Sequence, residues 1–468
     1  MKPFDVVVLG AGPAGQKAAI CAQKAGARAL LVDEEQRPGG ACVRHGTIPS
    51  KTLRETALAL TAFRRLSGGA VAVALDSEVT LHSLMSRLDQ VISAHETFID
   101  EQLRRNQVER WHGRARFVSP HSVEVRGVDG TRRVAEGRFV VIATGSRPRN
   151  PPEVQVDHEH VLDSDSILSL TYLPKSLAVL GGGVIACEYA SIFASLGVEV
   201  TVIDRAPRPL GFLDPELTDC FTRALEEAVG RFVGGSKPTS VVFDGLSSVT
   251  TTLENGVKIE TEKVLCALGR VANVEALDLA VAGLSTNARG LIEADAHCRT
   301  KVPHIYAAGD VIGPPSLAST SMEQGRRAIC DALGLPSSTS ATLIPAGVYT
   351  IPEIASVGID EPEARKKGGC VVGRARFSEL ARAQIAATPE GLLKLVTDAE
   401  GRRILGVQVV GTGAAELVHI GQVAILAGWP VDELVEQIFN FPTLAEAYRV
   451  AALDVIKQRS RALVAAAG

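Results

Sequence analysis

Two glycine-rich turns carry the clearest chemical signal in the sequence. Each follows an apolar strand, opens a helix, and is followed 23 residues after its first glycine by an aspartate. The first glycine permits a tight bend, the second lets the backbone approach a pyrophosphate, and the third lets the helix pack on the strand. The acid accepts hydrogen bonds from ribose hydroxyls. The sequence therefore predicts two dinucleotide sites, with these residues at their turns: Gly10, Gly12, Gly15 and Asp33 in the first, and Gly181, Gly183, Ala186 and Asp204 in the second.

Cationic side chains lie just beyond the second acid. Asp204 suits a ribose without a phosphate, whereas the guanidinium groups of Arg205 and Arg208 could pair with a 2′-phosphate. Two interpretations stay open for these arginines. Either they contact NADP(H), so that one site accepts both NAD(H) and NADP(H), or they are solvated loop charges without a ligand.

The elements that position these turns form a strand-helix-strand unit that occurs twice. A later strand follows each copy and ends in a small-residue turn, Ala143-Thr144-Gly145 after the first and Ala267-Leu268-Gly269 after the second. A third such strand ends at Ala308-Gly309-Asp310, and we expect it to return to the first domain. The repeat predicts an α/β fold with two Rossmann-like domains.

The pattern changes beyond about residue 340, where short strands alternate with amphipathic helices as in an α+β domain. Gly334, Pro336 and the Ser/Thr-rich stretch from Ser337 to Thr342 mark the boundary. We therefore predict a discontinuous first domain over 1–150 and 271–340, a second over 151–270, and a third over 341–468.

Composition excludes several other classes of protein. The formal net charge of −4 and the lack of a basic stripe argue against nucleic acid or an anionic membrane as partner. The N-terminal residues show no secretory leader, and no apolar run is long enough to span a bilayer, so we expect a cytoplasmic protein. The eight cysteines lack CxxC and CxxxxC spacing, and no metal site is predicted.

Taken together, the motifs resemble the dimeric flavoprotein reductases that include dihydrolipoamide dehydrogenase and glutathione reductase. The resemblance covers nearly the whole chain and includes the segments Gly39–Cys42, Gly46–Lys51 and Thr350–Gly358. It implies that the first glycine turn binds FAD, that the second binds a nicotinamide dinucleotide, and that the C-terminal domain forms a homodimer.

The resemblance also implies further site residues. Those assigned to FAD are Gly40, Cys42, Thr47, Lys51, Thr144, Gly145, Gly309 and Asp310, and those assigned to the nicotinamide dinucleotide are Glu188 and Gly269. Lys51 would lie near flavin N5 and stabilise charge on the reduced ring, with Glu188 as its partner. The alternative for Lys51 is a surface lysine at the start of a helix.

Two departures from the family pattern bear on activity. Disulfide reductases of the family have CxxxxC beside the flavin, but here Cys42 is followed by Thr47, so no disulfide can form there. They also carry an HPTxxE motif near the C-terminus. Here Phe441 stands in place of the histidine, while Glu446 remains. Thiol reduction is therefore not expected, whereas hydride exchange between two nicotinamides requires neither residue.

The CxxxxT loop and the FNFPTxxEAYRVAAL segment resemble the soluble, Si-specific NAD(P) transhydrogenases of this superfamily. The resemblance implies ping-pong hydride transfer between NADPH and NAD+ through FAD, with Lys51, Glu188 and an inert Thr47 as the catalytic set. Cys42 and His45 are given no catalytic role. Two alternatives stay open: a quinone reductase or diaphorase on the same scaffold, and a non-catalytic dinucleotide sensor.

Overall fold

The computed structural model describes residues 3–66, 77–336 and 343–467 and divides into two compact units. Unit 1 comprises the described residues within Met1–Thr52, Ser83–Arg149 and Gly269–Ser340, and unit 2 comprises those within Leu53–His82, Asn150–Leu268 and Ala341–Gly468. The stretch from Ser337 to Thr342, where the sequence predicts a domain boundary, lies outside the described residues.

The helices and strands alternate along most of the chain. Those up to residue 149 are β1 (Phe4–Leu9), α1 (Pro13–Lys24), β2 (Ala29–Asp33), α2 (Gly40–Arg44), α3 (Thr47–Leu66), α4 (Ser77–Arg105), β3 (Glu109–His112), β4 (Arg114–Ser119), β5 (Ser122–Arg126), β6 (Arg132–Ile142) and β7 (Ser146–Pro148). Those from 150 to 268 are β8 (Val161–Asp163), β9 (Ser176–Leu180), α5 (Val184–Ser195), β10 (Glu199–Ile203), α6 (Pro215–Glu227), β11 (Gly230–Val233), β12 (Pro238–Phe243), β13 (Val249–Leu253), β14 (Lys258–Thr261) and β15 (Lys263–Cys266). The remainder are β16 (Arg270–Ala272), β17 (Ile305–Ala307), α7 (Ala318–Ala332), β18 (Ala346–Val348), β19 (Ile354–Gly358), α8 (Glu361–Lys366), β20 (Val372–Arg376), α9 (Ala381–Ile385), β21 (Gly391–Thr397), β22 (Ile404–Gly411), α10 (Ala414–Leu426), α11 (Val431–Glu436) and α12 (Glu446–Ala467).

Five strands of unit 1 form a parallel sheet in the order β3-β2-β1-β6-β17. The central strand β1 is apolar on both faces, and Val6, Val7 and Val8 are fully buried, as expected for a sheet that is covered on both sides. The N-terminal half of β6 extends beyond this sheet and pairs antiparallel with β5, which in turn pairs with β4.

Helices α1 and α7 pack against each other in unit 1. A Cβ atom at Gly325 would lie 2.1 Å from the carbonyl oxygen of Ala14, so the backbones approach more closely than any side chain would permit. This contact fixes the N-terminal turn of α1, which is the helix that follows the first glycine motif.

Unit 2 holds a second parallel sheet, in the order β11-β10-β9-β15-β8. Strands β12, β13 and β14 form an antiparallel sheet of their own, and β18-β19-β22-β21-β20 form an antiparallel sheet in the C-terminal part. The predicted α/β class is confirmed: each glycine motif joins a central parallel strand to a helix, and an α+β segment follows.

An ion cluster in unit 2 joins the N-terminus of α6 to the C-terminal sheet. The ammonium of Lys394, which is 1% exposed, lies 2.7 Å from Oδ2 of Asp214 and 2.9 Å from Oε2 of Glu361. Arg374 pairs with Glu216 and Glu361 at 2.5 and 2.6 Å. Burial opposes ionisation of Glu361, but the hydrogen bonds from Lys394 and Arg365 outweigh it and hold the pKa of this carboxyl at about 2.

Helices of the described ranges include none that is both long and apolar enough to cross a bilayer.

Candidate active site

The first glycine turn is closed toward the sheet and open at its middle glycine. Gly10 has a φ of +104°, and a Cβ there would lie 2.3 Å from the carbonyl oxygen of Ala143. A Cβ at Gly15 would lie 1.8 Å from the carbonyl oxygen of Gly10, whereas at Gly12 the nearest atom would be Cα of Gly40 at 4.0 Å. The turn therefore presents bare backbone at the position where a pyrophosphate is expected.

Asp33 lies at the end of β2 beside this turn. Its carboxylate accepts hydrogen bonds from the backbone N–H groups of Ala11 and Glu35, the latter at 2.7 Å. Burial raises the pKa of Asp33, and the two N–H donors oppose that rise. The carboxylate borders a cavity of about 200 Å³ that is lined by Ala11, Leu31, Asp33, Glu35, Gln36, Arg110, Trp111 and His112.

The loop that carries the predicted flavin residues packs directly on the first turn. A Cβ at Gly40, which has a φ of +60°, would lie 2.8 Å from Cα of Gly12. The N–H of Gly39 also donates to the carbonyl oxygen of Ala11 at 3.0 Å. Helix α2 then carries Cys42, and α3 begins at Thr47. The two glycine-rich segments thus form one surface in unit 1.

Cys42 and Thr47 both lie on this surface. Burial raises the pKa of the Cys42 thiol, while a hydrogen bond from the Thr47 hydroxyl and the positive charge of Lys51 oppose the rise. The negative charge of the Asp310 carboxylate adds to the effect of burial and raises the pKa of the same thiol. Cys42 is a free cysteine, and Lys51 hydrogen-bonds Oγ of Ser50 at 3.2 Å.

Asp310 is positioned by residues that the sequence analysis did not identify. Its Oδ2 accepts a hydrogen bond from Oγ of Ser146 at 2.6 Å. Oγ of Ser146 in turn accepts a hydrogen bond from Nε of Arg270 at 2.8 Å. Gly309 donates its N–H to Oε1 of Gln324 on α7 at 2.8 Å. Ser146 follows a predicted turn directly, and this position was the only available signal for it.

The turn residues Thr144 and Gly145 are held by the chain that returns after β16. The hydroxyl of Thr144 donates to the carbonyl oxygen of Asn273 at 2.7 Å, and the carbonyl oxygen of Gly145 accepts from the N–H of the same asparagine at 3.0 Å. All residues assigned to FAD therefore lie in unit 1.

The second glycine turn repeats the geometry of the first. Gly181 has a φ of +114°, and a Cβ there would lie 2.6 Å from the carbonyl oxygen of Ala267. Asp204 accepts hydrogen bonds from the N–H groups of Gly182 and Ala206, both at 2.6 Å. At Gly183 a Cβ would meet nothing within 4 Å, and Ala186 is fully buried against the sheet. This turn too is open at its middle residue.

Glu188 is the fifth residue of α5 and is 4% exposed. Its Oε1 accepts a hydrogen bond from the N–H of Tyr349 at 2.9 Å, and Ser191 on the same helix accepts one from the N–H of Ile351 at 3.1 Å. The segment that begins at Tyr349 is thus tied to α5. The predicted pair between Glu188 and Lys51 joins residues of different units and stays a prediction.

Arg54 anchors the same segment within unit 2, and sequence reasoning missed it. Its guanidinium, only 4% exposed, donates from Nε to the carbonyl oxygen of Thr350 at 2.9 Å and pairs with Glu353 at 3.0 Å. No local sequence pattern predicts an ion pair between residues that are nearly 300 positions apart in the chain.

The two arginines beyond Asp204 differ in their surroundings. Arg205 is exposed, whereas Nη2 of Arg208 lies 2.5 Å from Oδ1 of Asp219 on α6.

Gly269 has a φ of +106° and accepts a hydrogen bond from the N–H of Arg149 at 3.0 Å in unit 1. In the C-terminal segment Phe441 is 68% exposed, and Glu446 accepts a hydrogen bond from the N–H of Thr443 at 3.4 Å.

A family model described as pyridine nucleotide-disulphide oxidoreductase matches residues 4–325, and a model for the dimerisation domain of the same group matches residues 344–452. The chain belongs to this family. Family membership confirms the resemblance that the sequence motifs indicated, and it places the two glycine turns inside the first model and Phe441 inside the second.

Individual members of the family match over nearly the full length. A soluble pyridine nucleotide transhydrogenase of Mycobacterium bovis is 44% identical over 98% of both chains, and one of Hahella chejuensis is 40% identical over 96% of this chain and 98% of its own. The flavoprotein disulfide reductase RclA of Escherichia coli superposes with a TM-score of 0.88 at 26% identity, covering 97% of this chain and 99% of its own.

Proposed function

We propose that this protein is an FAD-dependent transhydrogenase that moves a hydride between NADPH and NAD+ in either direction. The observation that carries the proposal is the full-length match, at 40 to 44% identity, to relatives named soluble pyridine nucleotide transhydrogenase. The threonine at position 47 and the free thiol of Cys42 support the further statement that the cycle runs without a redox-active disulfide.

The residues of unit 1 fit FAD. The open backbone at Gly12 suits a pyrophosphate, the carboxylate of Asp33 beside a cavity of about 200 Å³ suits a ribose, and Asp310 is held by Ser146. When bound, FAD accepts a hydride from one nicotinamide and gives it to another. The chain itself binds FAD and orients the nicotinamide beside it. It also excludes competing electron acceptors.

Lys51 supplies a fixed positive charge on the surface that also holds Cys42 and Thr47. A cation at this place stabilises negative charge on a bound ring, and its effect is large where water is excluded. The Thr47 hydroxyl cannot accept electrons, and Cys42 without a second sulfur cannot form an internal disulfide. Glu188 is held by Tyr349 and orients the nicotinamide side of the site.

The second turn serves NAD(H) and NADP(H) in succession. Gly181, Gly183 and Ala186 shape the turn, while Asp204 faces the ribose and Arg205 and Arg208 provide positive charge for a 2′-phosphate. We further propose the domain boundaries given by the sequence, a homodimer through the C-terminal domain, and a cytoplasmic location, which the word soluble in the relatives' names supports.

A steady-state assay tests this function. Purified holoenzyme is given NADPH with thio-NAD+, and separately NADPH with a quinone, and the two initial rates are compared. We expect thio-NAD+ reduction to be the faster reaction. A quinone rate well above the thio-NAD+ rate would assign the protein to the quinone reductases instead, and failure of NADPH to bleach the flavin band would make it a binding protein.

A further inference from the structure

The loop between Asp204 and Asp214 is held firmly against the second glycine turn. The N–H of Leu210 donates to the carbonyl oxygen of Gly182 at 2.8 Å. The N–H of Gly235, beyond β11, donates to the carbonyl oxygen of Ala206 at 3.1 Å. Because its backbone is fixed on both sides, the direction of each side chain on the loop depends mainly on that side chain's own partner.

Arg208 on this loop has such a partner. Its Nη2 lies 2.5 Å from Oδ1 of Asp219 and 3.3 Å from the carbonyl oxygen of Pro215, and both acceptors belong to α6. The side chain of Arg208 is 34% exposed and that of Asp219 is 62% exposed. Arg205 lies three residues earlier and is exposed. Of the two arginines that follow Asp204 in the sequence, one therefore forms an ion pair with a carboxylate.

A carboxylate and a phosphate compete for the same guanidinium donors. A ligand with a phosphate on its ribose must displace or share Asp219 to reach Arg208, and it also meets the negative charge of Asp219. A ligand without that phosphate leaves the pair intact. The pair is exposed enough that opening it costs little, so the preference for one ligand over the other shifts by a small factor.

We propose that Asp219 is a specificity-determining residue that restrains Arg208 and thereby keeps the affinity for NADP(H) close to that for NAD(H). This inference rests on the proposed function, since it assumes that the second turn receives both dinucleotides. Similar affinities for the two dinucleotides favour turnover in a transhydrogenase that uses one site for both. Neither nucleotide then stays bound when the other must enter.

The test measures binding, so it does not depend on turnover. The dissociation constants of NADP+ and NAD+ are determined by titration calorimetry on holoenzyme for the wild type, Asp219→Asn, Arg208→Ala and the double variant. Glu363→Gln is the matched control, because it removes an exposed carboxylate of α8 that is paired with Lys367, just after that helix, and changes the net charge equally.

Asp219→Asn is expected to tighten NADP+ binding about two- to fivefold and to leave NAD+ within about twofold. In the Arg208→Ala background the same substitution should have no effect on NADP+. The proposal is overturned if Asp219→Asn and Glu363→Gln change the NADP+ to NAD+ ratio alike, or if the effect persists without Arg208. Loss of transhydrogenation with the binding shift intact would refute the proposed function alone.

Discussion

Cys42 on α2 and Thr47 at the start of α3 lie close enough that the Thr47 hydroxyl opposes the rise in the pKa of the Cys42 thiol, on the surface formed by the first glycine turn and the loop that follows it. In a CxxxxC reductase the same two positions hold a disulfide. A hydroxyl at this position cannot take up electrons as a sulfur can, which is why we propose a cycle that runs without a disulfide.

Thr47→Cys should restore a dithiol that can be oxidised to a disulfide. Because a disulfide accepts two electrons in addition to those that FAD accepts, the oxidised variant should consume two equivalents of NADPH per FAD, whereas the wild type consumes one. Anaerobic spectrophotometric titration measures this ratio. The Cys42→Ala/Thr47→Cys double variant has a single sulfur and serves as control. A ratio of one in Thr47→Cys would show that the two positions cannot form a bond.

Lys51→Gln should lower the transhydrogenation rate about a hundredfold, because it removes the positive charge that we propose to stabilise the reduced ring. Cys42→Ala is the comparison from the same loop. It should keep the rate within about threefold, whereas loss of a general acid or base would cost at least about a hundredfold. Equal effects of the two substitutions, at unchanged flavin content, would contradict the roles assigned to them.

Ser146→Ala should weaken FAD binding about three- to tenfold, since it deletes the hydrogen bond that orients Asp310. The dissociation constant of FAD is obtained from the quenching of flavin fluorescence during reconstitution. Ser460→Ala removes a hydroxyl that donates only to a helix carbonyl and should leave FAD binding unchanged. Unaltered FAD affinity in Ser146→Ala would mean that Asp310 does not hold the cofactor.

Glu361→Gln should destabilise the protein at neutral pH but not in acid. The pKa of Glu361 is depressed to about 2 in the folded state, so its ionised form stabilises the fold above the unfolded pKa of about 4.3, and this contribution is lost as the pH falls toward 2. We expect a loss of about 1–3 kcal/mol in the free energy of unfolding at pH 7, shrinking below pH 4. Chemical denaturation at several pH values measures the difference.

The exposed pair of Glu363 and Lys367 is the control for that series, and Glu363→Gln should cost no more than about 1 kcal/mol at any pH. A constant difference between Glu361→Gln and the wild type from pH 7 to pH 3 would contradict the assigned pKa.

Local patterns predicted the parts of this structure that depend on local geometry. The turns at Gly10 and Gly181 were predictable because a positive φ and a close backbone approach require glycine, and the strands that precede them were predictable from continuous apolar runs. The start of β6 carried no such signal: this strand begins at Arg132, well before its apolar end, because its first half pairs in a second sheet.

Contacts between distant segments could not be predicted in this way. Arg54 with Glu353, and Ser146 with Asp310, come together only after the chain has folded, and neither pair leaves a periodic or compositional signal. Arg208 illustrates the intermediate case. The sequence shows a cation soon after the second acid, but the pairing of that cation with Asp219 depends on where α6 packs.

In the proposed cycle, electrons enter and leave only as hydride through bound nicotinamide. Anaerobic addition of one equivalent of NADPH per FAD, followed by excess NAD+, tests this route. The flavin band should bleach completely with that single equivalent, and NAD+ should restore it with release of one NADH. A need for a second equivalent, or a band that stays bleached in the presence of NAD+, would show that the electrons take another route.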